Sequence, residues 1–259
     1  MFNNNTIQTM SYGILSDKVK NEVVVAHLSD LHEKVFGSGN GQLFERVAEL
    51  RPDVIAITGD LVAHENQKEI DARYTGQFAG GLSKIAPAYF VTGNHERKFG
   101  GRIEQIMEEN GVTVLRSGDL AQVRAGESEL NLSGMDDISF ENTDVLQSVG
   151  IFAERSGFNI FLAHRPEYYP LYLKKNIDLV LCGHTHAGQI RFPKIGAFAM
   201  SGQGFMPKYV EGEFTDGETT MIISRGLGSS GYPKIRINNP PELVAVYIQP
   251  ESREMAVNL

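Results

Sequence analysis

Residues 23–32 read Val-Val-Val-Ala-His-Leu-Ser-Asp-Leu-His. A continuous apolar run suits a strand buried on both faces, and this one ends on a carboxylate and an imidazole. The same construction recurs along the chain. Val54-Ile55-Ala56-Ile57 runs into Thr58-Gly59-Asp60, and Ala88-Tyr89-Phe90-Val91 into Thr92-Gly93-Asn94-His95-Glu96. Asn159 to Ala163 ends in His164, and Leu179 to Cys182 ends in Gly183-His184-Thr185-His186. Between the first three runs, Gln42 to Leu50 and Gln67 to Ile85 read as helices; Leu43, Val47 and Leu50 fall at helical spacing. A helix over Ile103 to Glu109 precedes a strand over Val112 to Leu115. The β-α-β-α-β order is that of an α/β sheet.

The middle of the chain changes character. Gln122 to Ala125 and Leu130 to Ser133 read as antiparallel strands around Gly126-Glu127-Ser128. A helix near Glu167 to Lys174 separates the strands ending at His164 and Cys182. The tail is strand-rich, with Gln189 to Phe192, Thr219 to Ser224 and Leu243 to Ile248, and Gly and Pro punctuate it. No repeat or linker divides the chain, so residues 1–259 are expected to form a single domain whose sheets are mixed.

The chain has 259 residues, of which 41% are hydrophobic and 22% charged. A chain of this length buries most of its apolar surface without disulfide staples. Its formal charge of −8 argues against a protein that coats duplex nucleic acid through phosphate contacts. Cys182 is the single cysteine, so no intramolecular disulfide forms, which fits a reducing compartment. No window approaches the length of a transmembrane helix. Met1 to Asp17 lacks the charged and apolar regions of a secretory signal. These points together lead to the expectation of a cytoplasmic protein.

The informative feature is what the strand ends carry. In open α/β sheets the ligand crevice lies outside the carboxyl ends of the strands. Of the 7 histidines, His32, His95, His164, His184 and His186 lie at such ends beside Asp30, Asp60 and Asn94. Carboxylate, imidazole and amide oxygen suit divalent Mn, Fe or Zn, and no thiolate is called for. In an extended Asp30-x-His32 both side chains leave the same side of the backbone, and the same holds for His184 and His186. Gly59, Gly93 and Gly183 leave room for the backbone next to each ligand.

Asp30-x-His32, Gly59-Asp60, Gly93-Asn94-His95-Glu96, His164 and Gly183-His184-x-His186 resemble, in order and spacing, the five-block pattern of the calcineurin-like metallophosphoesterases. The longer Gly-His-Thr-His-Ala-Gly-Gln over 183–189 is similar to the subgroup of bacterial phosphodiesterases and UDP-diacylglucosamine hydrolases. The resemblance implies a four-layer α-β-β-α sandwich of two mixed β-sheets flanked by helices. It implies two divalent ions, Mn favoured over Fe or Zn, one held by Asp30, His32, Asp60 and His186. The other would be held by Asp60, Asn94, His164 and His184, with Asp60 bridging. Such a site, carrying about +1 once a bridging hydroxide is counted, suits in-line attack of that hydroxide on a phosphate ester, a phosphodiester or pyrophosphate. His95 adjoins Asn94 without being needed as a ligand and is assigned to stabilise developing charge or protonate the leaving group. Many members of the subgroup carry an N-terminal membrane or export segment; none is expected in these residues, which belong to a cytoplasmic chain or to a fragment whose targeting segment was removed.

Plainer readings compete for the remaining residues. Glu96 either orients a ligand histidine or is a carboxylate favoured at a helix N-terminus. His27 faces away from His32 by strand parity and suits the core. His64 follows Asp60 closely enough to touch substrate, and Cys182 reads as a small buried hydrophobe. Gly226-Leu227-Gly228-Ser229-Ser230-Gly231 matches a dinucleotide fingerprint, but Tyr232-Pro233 and Pro240-Pro241 deny the helix it needs. It reads as a loop at the site's rim, with Arg225 a candidate phosphate contact. Phe198, Phe205, Met206 and Tyr209 either fill a smaller core under a loop or form an exposed apolar patch. The patch would mean peripheral membrane contact and a lipid-linked substrate. The alternative to a hydrolase is a catalytically weak metal-binding interaction module of the same fold; such modules lose ligands, and here every ligand position is filled.

Overall fold

The computed structural model describes residues 4–63, 69–137, 149–173, 175–191, 199–200, 204–205, 207–230 and 235–251. Two six-stranded sheets carry it. In the first, β2 (Val23–Leu28), β3 (Val54–Thr58), β4 (Ala88–Val91) and β5 (Thr113–Val114) run parallel. The C-terminal β14 (Glu242–Pro250) pairs antiparallel with β2, and β1 (Gln8–Ser16) closes that edge, parallel to β14. In the second, β7 (Ser128–Gly134), β8 (Phe158–Leu162), β9 (Leu179–Cys182) and β13 (Thr219–Ile223) run parallel. Antiparallel β6 (Leu120–Ala125) and β12 (Gly212–Asp216) form its edges. A short ribbon pairs β10 (Ala199–Met200) with β11 (Gly204–Phe205).

The continuous apolar runs are explained by layers on both faces of each sheet. Val23, Val25, Val54, Ala56 and Val91 meet Leu130, Leu132, Ile160, Leu162, Leu179 and Leu181 between the sheets. The alternate residues Ala26, Leu28, Ile55, Ile57 and Phe90 face outward onto α1 (Gly41–Glu49), α2 (Ala72–Leu82) and α3 (Arg102–Glu109), through Leu43, Val47, Phe78, Leu82, Ile103 and Met107. The α2 start is fixed by Asp71, whose carboxylate accepts the Tyr74 amide at 2.9 Å. On the second sheet's outer face Phe161, Val180, Cys182, Met221 and Ile223 pack on Phe152, Tyr169 and Tyr172. Truncating a residue such as Ile160, wholly buried in the middle layer, to alanine costs about 2–5 kcal/mol. This is the expected α-β-β-α sandwich of mixed sheets.

Several details differ from the sequence expectation, the strands β10, β11 and β12 among them. The helix expected near Glu167 to Lys174 is one turn, α4 (Tyr169–Tyr172), preceded by a 3₁₀ turn at Pro166–Tyr168. Gln189 to Arg191 is not a strand: Ile190 makes an isolated bridge to Ile237. β1 was not expected, because its residues alternate between exposed and half-buried and Leu15 is 56% exposed. Tyr209 lies in no exposed patch; its ring packs edge-on against Tyr169 and Phe214 at 5.7 and 5.3 Å in the outer core. Phe198, Met206 and the Phe205 side chain lie outside the described residues. No helix of the described residues is long and apolar enough to cross a membrane.

Candidate metal centre

The loops after β2, β3 and β4 of one sheet and after β8 and β9 of the other converge at one end of the sandwich. They bring together Asp30, His32, Asp60, Asn94, His95, His164, His184 and His186. All the charged or imidazole donors except His95 are buried below 9% exposure. The backbone does this in a way strand parity does not foresee. Asp30 (φ 52°), His32 (46°), Asp60 (53°), His184 (69°) and His186 (48°) all take the left-handed conformation. The extended Asp-x-His geometry is therefore not what aligns them. Each left-handed residue turns the chain just past its strand, at a cost of order 1–3 kcal/mol that the surrounding bonds must sustain.

Those bonds are specific. Amides of Asp30 and His32 donate to Gly59 O and Asp60 O, both at 3.0 Å, tying the first two loops. The His184 amide donates to the Asp30 carboxylate at 3.0 Å. Glu96 is 1% exposed, and its carboxylate accepts four amides: Asp60 (2.9 Å) and Gly93 (2.7 Å) on one oxygen, Leu61 (2.9 Å) and Val62 (3.3 Å) on the other. Glu96 opens the 3₁₀ turn Glu96–Phe99, as the helix N-terminus reading has it, and in addition orients the backbone that carries Asp60. Two glycines are dictated by contact. A Cβ on Gly93 would lie 2.4 Å from Asp60 Oδ1, and one on Gly183 would lie 1.8 Å from Ser29 Oγ and 2.4 Å from Asp30 Oδ2.

The donor atoms form two groups. Asp30, His32, Asp60 and His186 each offer an atom within 4.8 Å of the others, and so do Asp60, His164 and His184. Asp60 belongs to both. In the first group His32 Nε2 faces His186 Nε2 at 3.0 Å, and His186 Nε2 is 3.4 Å from Asp30 Oδ1. In the second, His164 Nε2 lies 3.3 Å from Asp60 Oδ2, 3.2 Å from Asn94 Oδ1 and 3.1 Å from His184 Nδ1. The outer nitrogens fix two of the rings: His32 Nδ1 donates to Val62 O (3.2 Å) and His164 Nδ1 to Thr58 O (2.7 Å). His184 Nε2 is buried with no hydrogen-bond partner among the described residues.

Burial pushes His32 and His184 down to about 3, so both rings are neutral lone-pair donors at neutral pH. Burial pushes Asp30 up to about 6, opposed by the charge on His164 and reinforced by Asp60. Burial also opposes charge on Asp60 and His164, but their mutual attraction and hydrogen bond win. Asp60 is held well below the carboxylate range and His164 is raised to about 10. Converging nitrogens and carboxylates, with a proton held between Asp60 and His164, are a donor set that a pair of divalent cations fits.

The other sequence candidates fall as follows. The His95 side chain is 13% exposed, with Nε2 3.7 Å from Asp60 Oδ2 and its ring edge-on to His32 at 4.7 Å; it borders both groups without belonging to either. Its amide donates to Asp60 Oδ1 at 2.9 Å. His27 is buried against Thr58 Oγ1 at 2.8 Å, as parity implies. His64 lies outside the described residues. Arg225 is not disposed as a phosphate contact. Its guanidinium pairs with Glu242 and donates to Gln8 at 3.1 Å, tying β14 to β1, and only 8% of the residue is exposed. The glycine-rich loop after it is indeed no dinucleotide turn: Leu227 and Gly228 amides donate to Ser29 O (3.0 Å) and Asp30 O (2.6 Å) and brace the Asp30 turn.

Two residues escaped the sequence reading. Arg236 Nη2 donates to His186 Nδ1 at 3.3 Å, and Asn239 Nδ2 to His186 O at 2.6 Å. The one local hint is the alternation Ile235-Arg236-Ile237, which puts the arginine on a different side from its apolar neighbours.

Comparison with known proteins agrees with this geometry. The model of the calcineurin-like phosphoesterase family matches residues 23–188, which span every donor described above. The chain is 28% identical over 227 residues to the uncharacterized metallophosphoesterase YkoQ of Bacillus subtilis, covering 85% of this chain and 81% of the relative. It is 28% identical over 203 residues to the phosphodiesterase YaeI of Escherichia coli, covering 75% and 70%. Its fold is similar to that of the Haemophilus influenzae NAD nucleotidase NadN, with a TM-score of 0.56 at 14% identity over 83% of this chain. That match spans about half, 48%, of the NadN chain. With the family match over most of its length and both donor groups assembled, the chain belongs to the calcineurin-like phosphoesterases, metal-dependent hydrolases of phosphate esters.

Proposed function

We propose that this chain hydrolyses a phosphodiester or pyrophosphate at a dinuclear centre, by in-line attack of hydroxide on phosphorus. The observation that carries the reading is Asp60, one carboxylate within ligand distance of two separate donor groups. Asp30, His32, Asp60 and His186 would hold one ion, and Asp60, Asn94, His164 and His184 the other. The nitrogen and oxygen donors suit Mn, Fe or Zn. Bound there, the ions supply Lewis acidity and hydroxide at neutral pH.

The chain's own residues do the rest. Thr58 O and Val62 O hold His164 and His32 with Nε2 turned inward. Glu96 gathers four amides and so fixes the Asp60 carboxylate between the groups. His95, partly exposed at the border of both groups, is placed to meet charge on the phosphoryl oxygens or to protonate the leaving oxygen. Phosphodiesterase is the printed activity of the YaeI relative, and the reading extends it to this chain. The test is a screen of the Mn-, Fe- and Zn-reconstituted protein over phosphomonoesters, diesters and pyrophosphates. Metal-dependent turnover of a diester or pyrophosphate is expected; two bound ions with no turnover of any class would favour the interaction module.

A further inference from the structure

Next to His32 a cavity of about 500 Å³ opens, lined by Lys34, Arg236, Ser229, Asn4 and Glu33 as well. We propose that it is a second anion subsite, in which Arg236 and Lys34 take a further phosphate of the substrate beside the one at the metal centre. The inference rests on the proposed phosphoesterase reading and narrows its substrate class.

Arg236 carries the argument. It is the bulkiest fully buried side chain described, at 2% exposure. Nε donates to Gly228 O (2.6 Å), and Nη2 to Arg225 O (2.7 Å) and His186 Nδ1 (3.3 Å). Nη1 has no hydrogen-bond partner among the described residues, although the Asp30 and Glu242 charges act on the guanidinium from nearby. A buried guanidinium nitrogen without an acceptor is costly, which points to an anion that completes it when substrate is bound.

Lys34 adds a second cation. It lines the same cavity as Arg236. It donates to Asn5 Oδ1 at 2.8 Å and lies 5.7 Å from the Phe36 ring centroid. Glu33 is the one carboxylate in the lining, so cations are in excess. The wall shared with the metal centre is His32, a member of the first donor group. An oxyanion held here lies next to a phosphoryl group at that centre. The arrangement fits a substrate with two neighbouring phosphates, as in a pyrophosphate linkage, better than a simple diester. Arg supplies the planar fork and Lys the point charge that phosphate recognition uses.

Two measurements separate this subsite from the parent reading. The first uses chelator-treated protein and calorimetric titration with inorganic pyrophosphate. Binding is expected without metal and should weaken about tenfold in Lys34→Ala and in Arg236→Met, the size of one charge-assisted hydrogen bond. Lys34→Arg should restore it. Lys34 is half-buried at the surface, so its variants keep the test decisive if Arg236→Met fails to fold. The second uses the Mn-loaded protein and bis(p-nitrophenyl) phosphate, with methylenediphosphonate and methylphosphonate as inhibitors. Wild type should prefer the bisphosphonate by about tenfold or more, and Lys34→Ala should abolish that preference. No pyrophosphate binding by the metal-free protein, or equal preference in wild type and Lys34→Ala, overturns the subsite. Metal-free binding that follows the variants in a protein with no turnover upholds the subsite and overturns the phosphoesterase reading instead.

Discussion

Replacing Glu96 by glutamine removes one acceptor oxygen from a group that caps four amides and changes almost no volume. Whichever way the new amide turns, its NH₂ faces two backbone donors: Asp60 and Gly93 on one side, or Leu61 and Val62 on the other. Each buried donor left without an acceptor costs about 1–3 kcal/mol, so the variant should lose about 2–6 kcal/mol. For a domain of this size that is a fall in Tm of at least about 4 °C. Because the loosened loops carry Asp60 and Gly93, metal affinity should fall with stability. Burial and the Asp60 charge push Glu96 up from the usual 4.5 to about 7 against the pull of those amides, so its contribution to stability falls as pH rises between those values, and above them it is a full carboxylate accepting all four amides. Denaturant unfolding of the metal-free protein at pH 8 measures the effect. Glu49→Gln is the control, since Glu49 meets Arg46 at the surface at 3.1 Å with its side chain 64% exposed and should change stability by less than about 0.5 kcal/mol. If Glu96→Gln unfolds with the control and binds metal as wild type does, Glu96 does not hold the Asp60 loop.

Three other outcomes follow from the same geometry. His95→Gln should keep its metal by elemental analysis yet turn over about 10²–10⁴-fold more slowly, with a smaller loss on substrates whose leaving group needs no proton; loss of metal would make His95 a ligand. Gly183→Ala would set a methyl 1.8 Å from Ser29 Oγ and 2.4 Å from the Asp30 carboxylate, so it should strip the ion nearest Asp30 and lower activity, and a variant with unchanged metal content would contradict the packing. His164 is raised to about 10 in the metal-free protein, so metal must displace its proton at pH 7: affinity should rise with pH, and titration calorimetry in buffers of different ionisation enthalpy should show a proton released. No buffer dependence would count against His164 as a ligand.

The sandwich was legible because its inner strands are apolar on both faces. Val23 to Leu28 and Val54 to Ile57 serve the inter-sheet core with one set of alternate residues and the helix layer with the other. β1 carries no such mark: it lies at an edge, half-solvated, and is held by its register with β14. The donor residues were legible by type and by position at strand ends. Their alignment was not, because it depends on left-handed backbone at Asp30, His32, Asp60, His184 and His186, which nothing in the residue pattern announces. Arg225 and Arg236 show the same boundary. One follows a strand end and turns out to be paired with Glu242; the other stands in an unremarked Ile-Arg-Ile and reaches His186 from 50 residues away. Such partnerships arise from loop paths that only the folded chain fixes.

If one carboxylate, Asp60, serves two ions, its removal must show in the metal stoichiometry. Wild type and Asp60→Asn, both stripped with chelator, reloaded with Mn²⁺ and desalted, are compared by elemental analysis alongside circular dichroism to verify folding. Wild type should hold two ions per chain, and the folded variant should lose occupancy at both positions and activity with it. A variant that keeps two ions, or that cleanly loses one and retains the other at full occupancy, would contradict a bridging Asp60.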